Sequence, residues 1–482
     1  MPGIASYGAY IPLYRLSRAE IARAWGVAPP PGERAVANYD EDSLTMAVAA
    51  ARDCLGRADR SSIQGLYFAS TTAPYKEKQN AALIAAVLGL PADATTVDFS
   101  GSLRCGTNAL KAALDAVACG SAENVLVVAA DMRMGYPAGP GEMNFGDGAA
   151  ALLVGREDLI AEIEHFDSRY YEIQDTWRSD RDTFVRSAED RFAMDEGYLR
   201  VVRETVSATL AKYGLAPADV AQVALNAPNA RQLRSVVQKL GFEEKTQVRD
   251  VLQASVGDTG CALSLMSLVA ALERADSGER ILLACYGNGC DVALLKTTER
   301  IDSGKDRRGI QRHLGAKTAM HSYEQYLRLR ELLPLQPPAR PPLELRTPSP
   351  AALWREVPWE MRLTGTRCRR CGQPQYPPQR VCVNCHAKDE MEPYPFVDVP
   401  ATVFSFSHDY VMQSIDPPVT VTFVDFEGGG RIMCDMTDRD PAAVEVGLSL
   451  EMTFRRLYYV GGIYNYWWKC QPVRCRPSGA GE

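Results

Sequence analysis

Cys368-Arg-Arg-Cys371 is followed, after ten intervening residues, by Cys382-Val-Asn-Cys385. No other feature constrains the fold of the chain as much. Each Cys-x-x-Cys pair can present two thiolates from one tight turn, and two pairs can close a tetrahedron around one ion. Zn²⁺ is the ion expected for such a sulfur set. Its role should be structural, because four thiolates leave no position open for water. The alternative, a redox dithiol, needs one Cys-x-x-Cys inside a βαβ pattern, and that pattern is missing around these cysteines. A zinc ribbon over residues 353–397 is therefore expected, with Cys368, Cys371, Cys382 and Cys385 as ligands. His386, beside the last ligand, reads as a surface residue.

The ribbon takes a small share of 482 residues, which are too many for one ordinary domain. Over residues 1–301 short apolar runs alternate with Ala- and Leu-rich stretches of helical spacing. Strands are expected at 64–70, 124–130, 149–154, 222–225 and 280–286, and helices at 42–55, 106–118, 198–213, 230–240 and 261–275. That alternation marks a layered α/β domain. It also repeats. Gly106-Thr-Asn-Ala-Leu-Lys leads through a helix into Val125-Leu-Val-Val, and Gly260-Cys-Ala-Leu-Ser-Leu leads the same way into Ile281-Leu-Leu. Two copies of one unit predict a pseudo-twofold body with a site where the copies meet.

Residues 302–352 should form a connector, with an amphipathic helix at 316–333 and a proline-rich extended linker at 334–350. Residues 398–482 read as a small OB-type β-barrel, in which 419–426 and 431–436 flank the hairpin signal Gly428-Gly-Gly. OB barrels often take nucleic acids. From Leu353 onward, however, 14 Lys and Arg stand against 16 Asp and Glu, and the whole chain carries −7. That balance lacks a phosphate-binding footprint, so no nucleic acid is expected. The cluster Tyr464-Asn-Tyr-Trp-Trp468 then reads as core packing. No apolar run reaches the ~18 residues of a membrane span. Met1–Pro12 holds no signal-peptide pattern. With 13 cysteines in such a chain, the expected location is the cytoplasm.

Ribbon and barrel together resemble the acyl-CoA-associated zinc-ribbon/OB-fold family. In the body, Tyr39-Asp-Glu-Asp-Ser-Leu-Thr-Met-Ala-Val-Ala-Ala-Ala-Arg resembles the opening helix of archaeal-type HMG-CoA synthases. Phe145-Gly-Asp-Gly-Ala-Ala-Ala is similar to the glycine-rich turn and strand of the thiolase superfamily. Asn226-Ala-Pro-Asn and Gln238-Lys-Leu-Gly-Phe resemble the second-half motif of the same synthases. The resemblance implies a thiolase-like duplicated α-β-α-β-α body followed by a rubredoxin-like zinc ribbon and an OB barrel. It also implies coenzyme A thioesters as substrates, carbon–carbon bond chemistry, and a homodimer formed through the body.

The residues that carry the chemistry in that family do not match. Its nucleophilic cysteine stands four residues before the threonine of a Gly-Thr pair. Here the pair is Gly106-Thr107 and the position holds Leu103, with Asp98 keeping the register. Thr71 stands where a glutamate follows Ser70, Asn226 where a histidine is usual, and Asp258 where an asparagine is usual. Cys105 lies two residues past Leu103, roughly 200° around a helix, and should face elsewhere as a packing residue. Ser102 has no evident base. His165, the one histidine between Met1 and Arg312, falls in what reads as an acidic connecting segment.

Three functions remain open on these residues. In the first, the body performs aldol or retro-aldol chemistry on a β-hydroxyacyl-CoA without an acyl-enzyme. Asp258 would then be the base, Asn226 and Asn288 polar supports, and Tyr136 or Tyr286 the acid. Each also has an ordinary structural role: a helix cap for Asp258, turn bonding for the asparagines, packing for the tyrosines. In the second, the body is a non-catalytic scaffold that channels acyl-CoA to a separate thiolase subunit. In the third, Cys105 carries out HMG-CoA-synthase-like acyl transfer after local rearrangement. Lys76 and Arg104 flank the replaced positions and read as solvated surface charge.

Overall fold

In the computed structural model, which describes residues 1–56, 58–248, 252–334, 336 and 347–474, the apolar runs of the first 300 residues join one nine-stranded sheet. From edge to edge the strands are Gln222–Leu225, Arg280–Tyr286, Gly289–Thr297, Ala161–Tyr170, Gly3–Tyr10, Asp147–Gly155, Val125–Met132, Gly65–Ala69 and Thr95–Phe99. The order is duplicated about its middle. Val125–Met132 pairs parallel with Gly65–Ala69 and antiparallel with Asp147–Gly155. Arg280–Tyr286 does the same with Gln222–Leu225 and Gly289–Thr297. The halves join where Gly3 and Ile4 pair with Glu162 and Ala161. Strands such as Asp147–Gly155 are buried along their whole length, so they read as continuous apolar runs without alternation.

The helices Cys105–Cys119 and Leu263–Leu272 are the repeated elements, and both contribute to one apolar core. Gly106 lets them approach. A Cβ at this position would lie 2.6 Å from the Cys261 carbonyl oxygen, so only glycine fits.

This first unit comprises Met1–Ala37, Asp42–Ala85 and Leu90–Tyr323. It therefore continues past residue 301, through the helix Gly309–Gly315. The single helix expected at 316–333 is not formed. Thr318–Ala319 is a strand, and helix is confined to Tyr323–Leu329. The reason is backbone pairing: the N–H groups of Thr318 and Met320 donate to the carbonyls of Leu13 and Arg15, so they cannot close a helical turn. His165 also differs from expectation. It lies within the strand Ala161–Tyr170, its ring stacked on Tyr213 at 3.5 Å.

The second unit comprises Asn38–Glu41, Ala86–Gly89 and Glu324–Glu482. The proline-rich stretch expected at 334–350 falls largely outside the described residues. In the ribbon, Thr364–Cys368 pairs antiparallel with Pro374–Gln375 and with Met391–Pro395. The barrel closes in the order Ala401–Asp409, Val419–Phe426, Arg431–Met436, Ile463–Pro472, Ser449–Val460. Its strands alternate buried and exposed residues, as in Arg431–Met436, because one face fills the barrel and the other meets solvent. Gly428, Gly429 and Gly430 all hold positive φ, which explains the glycine run at the hairpin. Trp468 is fully buried, and Tyr466 nearly so. Arg455 pairs with Glu41 at 2.7 Å, and Lys469 with Asp40 at 2.9 Å, all four side chains being buried. Burial alone would push Asp40 up, yet Lys469 and then Arg455 hold its carboxyl below its ordinary value. Among the described residues no helix is long and apolar enough to cross a membrane.

Candidate active site and metal centre

The four cysteine sulfurs of the ribbon all lie within 4.8 Å of one another. Cys368 Sγ is 3.6 Å from Cys385 Sγ, and Cys371 Sγ is 3.5 Å from Cys382 Sγ. The backbone N–H groups of Asn384 and Cys385 donate to Cys382 Sγ at 3.4 and 3.5 Å. Donation from Cys385 first, and then Asn384, brings that thiol down to about 6. Four convergent thiols with donors aimed at sulfur fit a closed tetrahedral metal site. His386 is exposed beside it.

In the first unit, strand ends and turns bring the remaining candidates into place. Gln222–Leu225 ends at Asn226, which is buried. Its amide Oδ1 accepts from the Tyr286 N–H, and its Nδ2 donates to the Tyr286 carbonyl. Tyr286 closes its own strand and donates through its hydroxyl to Asp175 Oδ2 at 2.6 Å. Burial, and then Asp175, push the phenol well above its ordinary range. Asn288 follows in a left-handed turn at φ 51°, its Nδ2 donating to the Ile173 carbonyl at 2.8 Å. Asn226 thus clasps Tyr286 at the end of its strand, and Tyr286 and the Asn288 turn are tied to residues 173–175.

Asp258 sits elsewhere on the same unit. Its backbone bonds to Asn144 and Gly146, and Phe145 lies opposite it in an isolated bridge. Its carboxylate accepts from the Gly260 N–H at 2.9 Å and pairs with Arg133 at 3.0 Å. Burial pushes the carboxyl up, while Arg133 pulls it back. Arg133 lies over the Phe145 ring at 4.2 Å. Cys105 is fully buried in the apolar core. Leu103 is half-buried in the turn just before the helix Cys105–Cys119, against Gly287.

A cleft of about 810 Å³ lies in this unit. Asn144, Phe145 and Tyr136 line it on one side, with Thr176 and Trp177 nearby. Asn229 and Arg231 open the helix Ala230–Leu240 onto it, and Arg186 and Arg191 also line it, paired with Asp182 at 2.7 Å and with Asp195 at 3.8 Å. Among the described residues no cysteine lines the cleft. Asp258 is one backbone step behind Asn144 and Phe145, and Asp175 is one step before Thr176.

Sequence reasoning missed two polar residues and misplaced a third. Asp131, fully buried, accepts from the hydroxyls of Ser70, Thr71 and Thr72 and from the N–H groups of Thr71 and Cys261. Thr71 therefore has no free hydroxyl proton. Asp175 carried no motif. Arg104, expected on the surface, is a correction: its side chain is only 11% exposed and pairs with Asp291 at 2.8 Å. Lys76 is exposed and meets Asp180, as a surface charge should.

Three family models match the chain. The rubredoxin-like zinc ribbon domain of ChsH2 matches residues 360–392, and the ChsH2 C-terminal OB-fold domain residues 397–455. The C-terminal part of 3-oxoacyl-[acyl-carrier-protein] synthase III matches residues 210–295. The Methanopyrus kandleri hydroxymethylglutaryl-CoA synthase is 31% identical over 342 residues, covering 69% of this chain and 97% of that protein. The Methanocaldococcus jannaschii synthase is 32% identical over 318 residues, covering 64% and 92%. Among solved structures, an HMG-CoA synthase complexed with CoA superposes with a TM-score of 0.64 at 19% identity, covering 72% of this chain and 95% of that one. The 3-oxoacyl-[acyl-carrier-protein] synthase III of Aquifex aeolicus does so at 0.55 and 22%, covering 61% and 100%. These structures show the thiolase-like fold, and with the sequence relatives they establish that the chain belongs to the hydroxymethylglutaryl-CoA synthase family, carrying in addition a ribbon and an OB barrel.

Proposed function

We propose that the first unit binds a coenzyme A thioester and makes or breaks a carbon–carbon bond in it by aldol or retro-aldol chemistry, without an acyl-enzyme. One observation carries this reading: Leu103 occupies the position that resembles the nucleophile, and among the described residues no thiol that lines the cleft replaces it. Cys54, Cys105, Cys261, Cys285 and Cys290 are all buried. Burial pushes the thiols of Cys261, Cys285 and Cys290 up, away from thiolate chemistry.

The cleft suits coenzyme A. Arg186, Arg191 and Arg231 offer charge for phosphates, and Arg231 stands in the first turn of an eleven-residue helix whose N-terminus favours anions. A relative crystallised with CoA supports the same ligand class. In the retro-aldol direction a base takes the β-hydroxyl proton, the Cα–Cβ bond breaks, and a carbonyl compound leaves. The electron pair stays on the thioester as an enolate, which is then protonated at Cα to give the shorter acyl-CoA. Asp258 is the base in this reading, because burial makes its carboxylate more basic than usual. Tyr136, 41% exposed on the cleft, is the proton donor to Cα. The ribbon holds Zn²⁺ through Cys368, Cys371, Cys382 and Cys385 as a structural ion and takes no part in the reaction.

Intact mass after incubation with acetyl-CoA, followed by product analysis with a β-hydroxyacyl-CoA, tests the proposal. Expected are no covalent adduct, release of a carbonyl compound with a shorter acyl-CoA, and loss of that release in Asp258→Asn. An adduct lost in Cys105→Ala would sink it in favour of acyl transfer.

A further inference from the structure

Asp258 is a buried acid with a cation set against it. Arg133 stands just past the strand Val125–Met132 and donates from Nη1 to Asp258 Oδ2 at 3.0 Å. The two side chains are buried, at 5% and 9% exposure. The second carboxylate oxygen, Oδ1, accepts from the Gly260 N–H at 2.9 Å. Arg133 is itself held on two sides. Its guanidinium carbon lies 4.2 Å from the centre of the Phe145 ring. Its Cδ packs on Gly260, where a Cβ would come within 2.7 Å of it. Phe145 is fastened to Asp258 in turn: the Asp258 N–H donates to the Asn144 carbonyl at 2.7 Å, and the Gly146 N–H to the Asp258 carbonyl at 2.9 Å. Carboxylate, guanidinium and ring therefore form one stack, whose last layer, Phe145, lines the cleft.

A carboxyl shut away from water gives up its charge unless a cation or donors replace its hydration. Asp258 stands under that opposition. Burial pushes it up, Arg133 and then the Gly260 N–H pull it back, and Asp131, on the neighbouring strand, pushes it up again. Once protonated, Asp258 could take no proton from a β-hydroxyl. Burial therefore supplies basicity, and Arg133 supplies the condition under which that basicity can be used. Arginine suits the position because its guanidinium keeps its charge when buried and its flat face stacks on a ring.

We propose that Arg133 is a positioning residue that holds the Asp258 carboxylate charged and fixed in orientation, ready to take the β-hydroxyl proton of a bound β-hydroxyacyl-CoA. The proposal rests on the thioester reading above and assigns the group that makes its base usable. Arg133 acts through Asp258 and touches no substrate.

Infrared spectroscopy reads the charge of Asp258 with no ligand present, since a protonated carboxyl absorbs apart from a carboxylate and the Asp258 band is the one lost in Asp258→Asn. Expected in the wild type is no such band at pH 7 and its appearance in acid. In Arg133→Gln the band should titrate at least about one pH unit higher, while Arg133→Lys, which keeps the charge, should stay within about half a unit of the wild type. The acid limb of the pH–rate profile for carbonyl release from 3-hydroxybutyryl-CoA or 3-hydroxydecanoyl-CoA should move with it, and KM should change by less than about twofold. Where Arg133→Gln fails to fold, adding Asp258→Asn should restore folding, because the orphaned charge is gone. A carboxyl band in the wild type at pH 7 overturns the proposal and leaves the thioester reading standing. So does a titration that Arg133→Gln leaves in place, a rate that falls equally at every pH, or a double variant that still fails to fold, as an arginine needed for packing alone would give. A wild type that releases no carbonyl compound at any pH, with the infrared titration as expected, removes the thioester reading first, and this proposal with it.

Discussion

Asn226 makes both backbone hydrogen bonds available at Tyr286, accepting from its N–H at 2.7 Å and donating to its carbonyl at 2.9 Å. The parallel ladder between Gln222–Leu225 and Arg280–Tyr286 ends with Leu225 opposite Ala284. A side-chain amide carries the pattern two residues further, because it offers the same donor and acceptor as a peptide. Asn226→Ala should therefore leave two buried backbone groups unpaired and cost about 1–3 kcal/mol. Urea denaturation monitored by fluorescence would show the loss, and an unchanged midpoint would refute the clasp.

Reactivity of the thiols follows from burial. Cys119 is exposed at the end of its helix, and the Ser121 hydroxyl beside it lowers its thiol. Iodoacetamide under native conditions should label Cys119 first within the body and leave Cys105, Cys261, Cys285 and Cys290 untouched. Peptide mapping reads the outcome. Labelling of Cys105 at a rate near that of Cys119 would contradict its place in the core.

Metal removal should act on the ribbon alone. Structural zinc contributes folding free energy on the order of 10–16 kcal/mol in small modules. Elemental analysis is expected to find one zinc per chain, and Cys371→Ser to lose it. Hydrogen exchange over residues 364–395 should then rise to the unprotected rate, while exchange in the strand Val125–Met132 stays slow. Slow exchange in the metal-free ribbon would show that the sulfur cluster does not need its ion.

Stability should fall as pH rises through the weakly acidic range, because of Glu273. Burial pushes this carboxyl up to about 7 from its ordinary 4.5, against donation from the Ile310 N–H. Its Oε2 has no hydrogen-bond partner among the described residues. Since the folded value lies above the unfolded one, the native state binds more protons between them. The contribution of Glu273 is thus most favourable below the unfolded value and is lost as pH rises to about 7, by roughly 3 kcal/mol at most. Glu273→Gln keeps an acceptor for Ile310 and removes the charge. It should be more stable than wild type at pH 8 and nearly equal at pH 4.5, as judged by denaturant midpoints at both values.

The legible parts of this protein are local. Gln222–Leu225, Arg280–Tyr286, Val419–Phe426 and Arg431–Met436 form with the bounds their apolar runs predict. Ala161–Tyr170 escaped notice because its outer half is polar and exposed, so neither periodicity stands out. The helix expected at 316–333 failed for a related reason, since a two-residue strand pairing with Tyr14 and Arg15 is invisible from residue 318.

By itself the sequence determined the four-sulfur cluster, the duplicated α/β unit and the barrel. Each of these depends on spacing or residue type within a short window. Only the tertiary structure decided what the polar groups do. Arg104 meets Asp291, Thr71 meets Asp131, Tyr286 meets Asp175 and Asp258 meets Arg133 across separations of 187, 60, 111 and 125 residues. A buried charge or hydroxyl must find a partner wherever the sheet brings one within hydrogen-bond reach, and strand order, which no short window encodes, sets that choice.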